Sequence, residues 1–274
     1  MPEEKQEKLS WRKKLELNRM SFESILFEKE LVVPQKEKLY LGLLVAAGIA
    51  LVSSLLLSAW ILNHKYFFSG ADTAAFATVN AFLEKFNAAG VWSLVKPFSL
   101  DGRHPAAMPF YYIAYVPVLK YITSDIYAAM ALVHSFFLLL FTLSVFMAVK
   151  RNRNNFSGWV GATAASSLPF LIETARHPGP GIAVIALVAA LYACYINSTE
   201  FDHPEWNMWF GAALGLGFYT DKMFWIYLLP ILPFLVTAMT GGLAMHSLLK
   251  GFLPGMVLCA PWYTYLLAFG ALGH

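Results

Sequence analysis

The sequence has little charge and almost no cysteine. Only 14% of its 274 residues are Asp, Glu, Lys or Arg, whereas a soluble domain carries about a quarter. Its two cysteines, Cys194 and Cys259, each lie inside an apolar run and belong to no metal or redox motif. They are therefore interpreted as buried thiols. The low charge argues against a soluble globular domain.

Several motifs that carry chemistry are also missing. The chain has no phosphate-binding Walker loop, no dinucleotide-binding G-x-G-x-x-G between a strand and a helix, no H-E-x-x-H and no G-x-S-x-G. The sequence shows no basic and aromatic pattern of the kind that indicates nucleic-acid binding. His104 and His177 are possible metal ligands, but each precedes a proline, a pair that is common at helix entries. We expect neither a metal nor a separate cofactor.

Long apolar runs dominate what is present. Apolar residues make up 58% of the chain, and residues 39–62 hold no charge at all. At about 1.5 Å per residue, such a run crosses a bilayer. The sequence predicts an all-α polytopic membrane protein. Its transmembrane module, residues 39–274, contains about seven spans: 39–62, 126–149, 157–172, 179–197, 206–220, 223–239 and 248–270.

The first 38 residues are rich in charge. Apolar side chains recur among these charges at roughly helical spacing, which suits an amphipathic helix on the membrane or on a partner subunit. A solvated tail is the alternative. The first apolar run begins only near residue 39, so no cleavable signal peptide is predicted. The basic residues before it place the N-terminus in the cytoplasm.

An extracytoplasmic loop is predicted over 63–125. Within it, "DTAAFATVNAFLEKF" repeats apolar residues at helical spacing, and Asp72 occupies the first turn. We expect one or two helices lying in the outer interface. The apolar segment 106–122 is short and is interrupted by prolines. Because the basic cluster "KRNRNN" follows the span 126–149, the positive-inside rule favours a segment 106–122 that does not cross the membrane fully.

This topology gathers ionisable residues at one face. Such groups are costly near hydrocarbon, so their convergence predicts a site. Cations beside a few carboxylates suit an anionic ligand such as a phosphate or pyrophosphate, and one carboxylate suits a general base. The alternative is a set of ordinary interfacial residues that reach to water. The residues concerned are Asp72, Arg103, His104, Glu173, Arg176, His177, Asp221 and Lys222.

The order of short motifs resembles a known family. An acid in the first outer loop is followed by a His-Pro before "FYYIAYVPVLKYI", then by "SLPFLIETAR", "GAALGLGFYTDK" and "APWYTYL". This order is similar to that of GT-C membrane glycosyltransferases, especially the protein O-mannosyltransferase and aminoarabinose lipid A transferase group. Where those enzymes have "HPPL", this chain has "HPAAM". Its first loop offers a single acid, and the chain is shorter than those enzymes.

The resemblance implies a seven-span module with its site at the outer face. Family members transfer a sugar from a polyprenyl-phosphate carrier to an acceptor. Asp72 would be the catalytic residue that activates the acceptor. The substrate-binding residues implied by the motifs are His104, Glu173, Arg176, His177 and Lys222. Arg103 is added to this set because it is predicted to lie at the same outer face.

Two other functions stay open. A non-catalytic GT-C-like subunit of a larger membrane complex would use residues 1–38 and the outer helix faces to bind its partners. A small-solute transporter is disfavoured because the chain shows no internal repeat. Under either leading hypothesis we expect a multi-pass protein of the bacterial inner membrane, in contact with lipids.

Overall fold

The structure is a computed structural model that describes residues 35–64, 70–90, 109–198, 201–240 and 243–272. Every regular element in these ranges is a helix, so the predicted all-α class is confirmed. Residues 1–34 of the predicted amphipathic segment 1–38 lie outside the described residues. Arg103 and His104 also fall outside them.

Helices are numbered here along the chain, and one short 3-10 helix, Phe224–Leu228, joins two of them. The helices are α1 (Gln35–Asn63), α2 (Gly70–Ala89), α3 (Phe110–Ile113), α4 (Tyr115–Tyr121), α5 (Ile126–Asn152), α6 (Asn155–Ser166), α7 (Pro169–Arg176), α8 (Gly181–Ser198), α9 (Pro204–Thr220), α10 (Leu232–Thr240) and α11 (Leu243–Leu272).

Three helices in the described part of the chain are long and apolar enough to cross a membrane. They are the stretch Leu41–Asn63 of α1, the whole of α5 and the whole of α8. The chain is thus a membrane protein by helix length and composition. The module of seven spans remains a prediction, because the other predicted spans do not meet this criterion in the described residues.

The chain divides into two compact units, Met1–Gly42 and Leu43–His274. The second unit is a helical bundle, whose ends we name the His177 end and the Lys150 end. Helix α5 runs from the His177 end to the Lys150 end, and α6 and α7 return toward the His177 end. Helix α8 lies parallel to α5, because Asn197 near its C-terminus donates a 3.4 Å hydrogen bond to the Met147 carbonyl.

The rest of the bundle is built on α9 and α11, which lie side by side in the same direction. At the Lys150 end, the Asn207 amide lies 3.3 Å from the Ser247 hydroxyl. Toward the His177 end, the Tyr263 hydroxyl donates a 3.2 Å hydrogen bond to the Phe218 carbonyl. The 3-10 helix and α10 connect the end of α9 to the start of α11.

Helices α3 and α4 form a short segment whose first half is buried in the bundle. From Phe110 to Tyr121 they extend about 18 Å, whereas a hydrocarbon core is about 30 Å thick. The Phe110 ring packs on Phe137, three turns into α5, with centroids 6.2 Å apart. From this depth the chain rises to the exposed Tyr121 at the His177 end. That the segment 106–122 does not cross the membrane fully stays a prediction.

The predicted span 157–172 is two helices separated by a break. Ser167 ends α6, Leu168 is extended, and Pro169 opens α7 at a position where its missing N–H costs nothing. Ahead of the break, the Thr142 hydroxyl of α5 lies 3.0 Å from that of Ser166. The broken helix therefore has its own polar contact inside the bundle.

Glycines let α9 and α11 approach each other closely. A Cβ on Gly251 would overlap the carbonyl oxygen of Met208, and a Cβ on Gly215 would lie 2.8 Å from the Cα of Gly255. In membranes, where apolar burial drives helix association weakly, such small-residue contacts supply the packing. The α9–α11 pair is the most closely packed helix pair of the bundle described here.

We expect Gly251→Ala to destabilise the bundle, because the added methyl group meets backbone rather than a movable side chain. Overpacking of this kind costs about 1–3 kcal/mol or more. Thermal unfolding in detergent, followed by circular dichroism, measures the effect. The matched control is Gly48→Ala in α1, where a Cβ meets nothing within 4 Å. Equal stability of the two variants would contradict the close α9–α11 contact.

Candidate functional site

Asp72 is placed by the packing of α2. The apolar residues at helical spacing on this helix face inward, and Phe76, Val79 and Phe82 are all buried. Phe82 stacks on Tyr112 with ring centroids 6.0 Å apart. Because α2 is fixed along this face, its first turn lies over the His177 end of the bundle. The Asp72 side chain is only 6% exposed there.

His177 lies between two carboxylates. Its Nδ1 atom lies 3.2 Å from Oδ1 of Asp72, and its Nε2 atom lies 3.2 Å from Oε1 of Glu173. Glu173 is also 3.7 Å from the Arg176 guanidinium. The structure therefore brings together four of the predicted site residues, from two helices that are 105 positions apart at the Asp72–His177 contact.

Exposure differs sharply within this cluster. The side chains of His177 and Glu173 are 53% and 63% exposed, whereas Asp72 is nearly covered. A buried carboxylate needs a partner that offsets its lost hydration, and the imidazole supplies it. The exposed ring, and not the buried carboxylate, is the group that a molecule arriving from outside meets first.

Arg176 lies at the mouth of an apolar cavity. Its guanidinium carbon is 4.6 Å from the centroid of the Trp60 ring of α1, a distance suited to a cation–π contact. The Trp60 ring in turn stacks on His64. Below this cation the cavity encloses about 280 Å³ between α1, α5 and the α6–α7 break. Its walls include Leu56, Leu57, Leu138, Leu171, Ile172 and the hydroxyl-bearing Ser53, Ser166 and Ser167.

A second, fully buried network supports the site from below. Nε2 of His134 in α5 lies 2.7 Å from the Tyr111 hydroxyl and 3.2 Å from the Tyr115 hydroxyl. These two hydroxyls are 2.7 Å apart. Nδ1 of the same ring lies 2.6 Å from the Ala175 carbonyl. The network thus joins α3, α4, α5 and α7 immediately before Arg176.

The acceptors in this network fix its hydrogens. A carbonyl only accepts, so Nδ1 of His134 donates to Ala175, and in the neutral ring Nε2 is left as an acceptor. Tyr111 donates to Nε2, and Tyr115 donates to Tyr111. Burial raises the pKa of both tyrosines, so both hydroxyls keep their protons. The chain of donors is complete in one direction.

This assignment predicts unequal costs for removing the two hydroxyls. Tyr111→Phe removes both 2.7 Å contacts and leaves Tyr115 only its 3.2 Å contact to His134, whereas Tyr115→Phe leaves the short Tyr111–His134 bond intact. An unsatisfied buried polar group costs about 1–3 kcal/mol. Thermal unfolding of the two variants in detergent measures the difference. A Tyr115→Phe variant that is the less stable of the two would contradict the assignment.

Not every predicted residue joins the cluster. Lys222 lies exposed just beyond α9 and, within the described residues, forms no ion pair or hydrogen bond with the other four. Arg103 and His104 lie outside the described residues. The sequence-based prediction missed Trp60, His134 and the Tyr111–Tyr115 pair. A lone histidine inside the apolar run 126–149 was the available signal, because ionisable groups in such runs are rare and need partners.

The cluster is not arranged for metal binding. Within the described ranges, no group of three His, Cys, Asp or Glu side chains could hold a metal ion. Both nitrogens of His177 already face carboxylates, which occupies the lone pair that a metal would use. The arrangement places an imidazole and two carboxylates, which are groups able to exchange protons, beside a guanidinium.

Comparisons with known proteins return no match: no family model, no curated protein and no solved structure is similar to this chain. The GT-C resemblance therefore depends on the order of short motifs alone. The function has to be argued from the geometry at the His177 end.

Proposed function

We propose that this chain transfers a sugar from a polyprenyl-phosphate carrier to an acceptor, at the extracytoplasmic face of a membrane. The observation that carries the proposal is the pairing of Asp72 with His177 beside Arg176 at the mouth of an apolar cavity. Asp72, His177, Glu173 and Arg176 are linked by successive contacts at one end of the bundle, and Arg176 also lines the recess. The motif order that resembles GT-C glycosyltransferases points to the same reaction.

The cavity suits a lipid that carries a phosphate. Its volume of about 280 Å³ is near the lower end for ligand pockets, enough for the phosphate-proximal part of a prenyl chain. The leucine walls match the hydrocarbon, and the Arg176 guanidinium is positioned at the polar end. Guanidinium groups bind phosphate oxygens in pairs, which fixes orientation as well as affinity.

The reaction needs little beyond what this end of the bundle provides. The acceptor oxygen or nitrogen loses a proton as it bonds to the anomeric carbon. The bond from that carbon to the carrier phosphate breaks, and its electron pair stays on the phosphate. A base beside the acceptor and a cation beside the phosphate stabilise these two changes in charge.

The second candidate, a non-catalytic subunit of a membrane complex, is favoured by the surface of α1. Only 28% of the most apolar 18-residue stretch of α1 is buried, whereas the corresponding shares are 44% for α5 and 56% for α8. Leucines at positions 44, 51, 55 and 56 project from it. A face of this kind fits another transmembrane helix as well as it fits lipid.

A reconstituted transfer assay tests the proposal. Purified chain in lipid nanodiscs is supplied with polyprenyl-phosphate-linked sugars and a panel of lipid and peptide acceptors. We expect Asp72→Asn to lower the rate about 100-fold or more, because proton-transfer groups contribute that much. The matched control is Asp202→Asn, an exposed acid between α8 and α9, which should leave the rate within twofold.

Arg176 gives a second arm of the same assay. We expect Arg176→Gln to raise the KM for the carrier about tenfold or more, and Arg176→Lys to recover part of it, because lysine keeps the charge but loses the fork. A wild-type chain that transfers no sugar, and that purifies natively with other membrane subunits, would favour the second candidate. Unchanged rates in Asp72→Asn would contradict the catalytic assignment.

The proposed orientation has its own test. Ser124 and Asn152 are exposed residues that flank α5 at its two ends, and both native cysteines are buried. In intact cells, a membrane-impermeant thiol reagent should label Ser124→Cys and leave Asn152→Cys unlabelled until the membrane is permeabilised. Unmodified protein gives the background. Labelling of Asn152→Cys alone from outside would place the His177 end in the cytoplasm and refute the proposal's geometry.

A further inference from the structure

We propose that His177, and not Asp72, exchanges the proton with the acceptor, and that Glu173 occupies the acceptor's position until the acceptor displaces it. This inference rests on the proposed function. It gives the three residues of the cluster different roles: His177 is the catalytic base, Asp72 is a positioning residue, and Glu173 is a displaceable internal ligand.

The first support is the difference in exposure. Asp72 is 6% exposed and its Oδ1 atom faces Nδ1 of His177, whereas the His177 ring is 53% exposed. A general base must lie within about 2.6–3.2 Å of the proton it removes. An acceptor held outside the bundle reaches the imidazole without moving any helix. To reach Asp72, it would first have to displace the ring.

The second support is the fixed position of the ring. His177 directly follows α7, whose Ala175 carbonyl is held by the buried His134. Its Nδ1 atom faces a carboxylate, which only accepts, so Nδ1 carries a hydrogen and Nε2 is the nitrogen that exchanges protons. A buried carboxylate that selects the tautomer of an exposed imidazole is the arrangement of acid–base pairs in which the carboxylate itself does not take the proton.

The third support is the placement of Glu173. Its Oε1 atom lies 3.2 Å from Nε2, the position that an acceptor hydroxyl or amine would need. Both ring nitrogens can donate to carboxylates at once only in the imidazolium form, so this contact holds a proton on Nε2. The Glu173 side chain is 63% exposed and lies 3.7 Å from Arg176. A short swing toward Arg176 therefore frees Nε2.

The resulting sequence of events conserves protons and charge. An acceptor that carries a hydroxyl or amine displaces the Glu173 carboxylate, and Nε2 releases its proton to water. The acceptor then bonds to the anomeric carbon while its own proton passes to Nε2. The carrier phosphate leaves with the bonding electron pair, and the proton taken from the acceptor stays on Nε2 when Glu173 returns. Each turnover therefore releases one proton and restores the starting cluster.

The test combines kinetics with a chemical readout that needs no turnover. In the nanodisc assay, His177→Gln should lower kcat about 100-fold or more. Glu173→Ala should raise kcat/KM for the acceptor several-fold, because the internal competitor is gone. Asp72→Asn should lower kcat and leave the KM for the acceptor within about twofold. His203→Gln, at an exposed position that precedes α9, is the matched histidine control.

Diethyl pyrocarbonate, which acylates an unprotonated imidazole nitrogen, supplies the second readout. Mass spectrometry follows modification of His177 relative to His203 in the same molecules. We expect Glu173→Ala to speed the modification of His177 several-fold and to leave His203 unchanged. An unchanged rate at His177 would refute the role of Glu173.

The outcomes distinguish the proposed sugar transfer from the role of His177 as its base. A wild-type chain without transfer refutes the proposed function and with it the base role of His177, and the acylation rates still decide whether Glu173 covers Nε2. A wild-type chain that transfers sugar, with His177→Gln retaining its rate within threefold, refutes this inference alone and returns the base role to Asp72.

Discussion

The hydrogen bond from His134 to the Ala175 carbonyl is the contact on which the rest of this end of the bundle depends. His134 lies within a mostly apolar helix that is long enough to cross a membrane. A polar ring at that depth is tolerated only if both nitrogens find partners. Nδ1 bonds to the Ala175 carbonyl in the last turn of α7, and Nε2 contacts the hydroxyls of Tyr111 and Tyr115. A single side chain thus holds α7 and the α3–α4 segment against α5.

Two consequences follow for the backbone. The segment α3–α4 is held inside the bundle, because its tyrosine hydroxyls contact His134 and its aromatic rings pack on α2 and α5. Helix α7 does not need to continue α6 in a straight line, because its C-terminal turn is held independently. The break at Leu168–Pro169 leaves room for the recess below Arg176. Leu168 and Pro169 at the break are themselves exposed.

Local features of the fold could be predicted from sequence, and long-range ones could not. The spacing of Phe76, Val79 and Phe82 predicted a helix with one buried face, and α2 has that face. Pro169 was an available signal of a helix break. Because the run around it is apolar, a single span over 157–172 was predicted instead. The contact between Asp72 and His177 depends on how two distant helices pack, and no local pattern encodes that distance. Sequence predicted the shared face of these residues but not their pairing.

The pairing changes what the cluster means. Scattered interfacial charges that reach to water would each be exposed and independent. Here the acid is buried, the imidazole is fixed at both nitrogens, and the segment that carries it is anchored by a second network that reaches Ala175, two positions earlier. Such double support includes buried polar groups whose desolvation is costly, so apolar packing alone does not account for it. Preorganised proton-transfer groups need that kind of support. A helix junction that only closed the end of the bundle would not need an exposed imidazole held between two carboxylates.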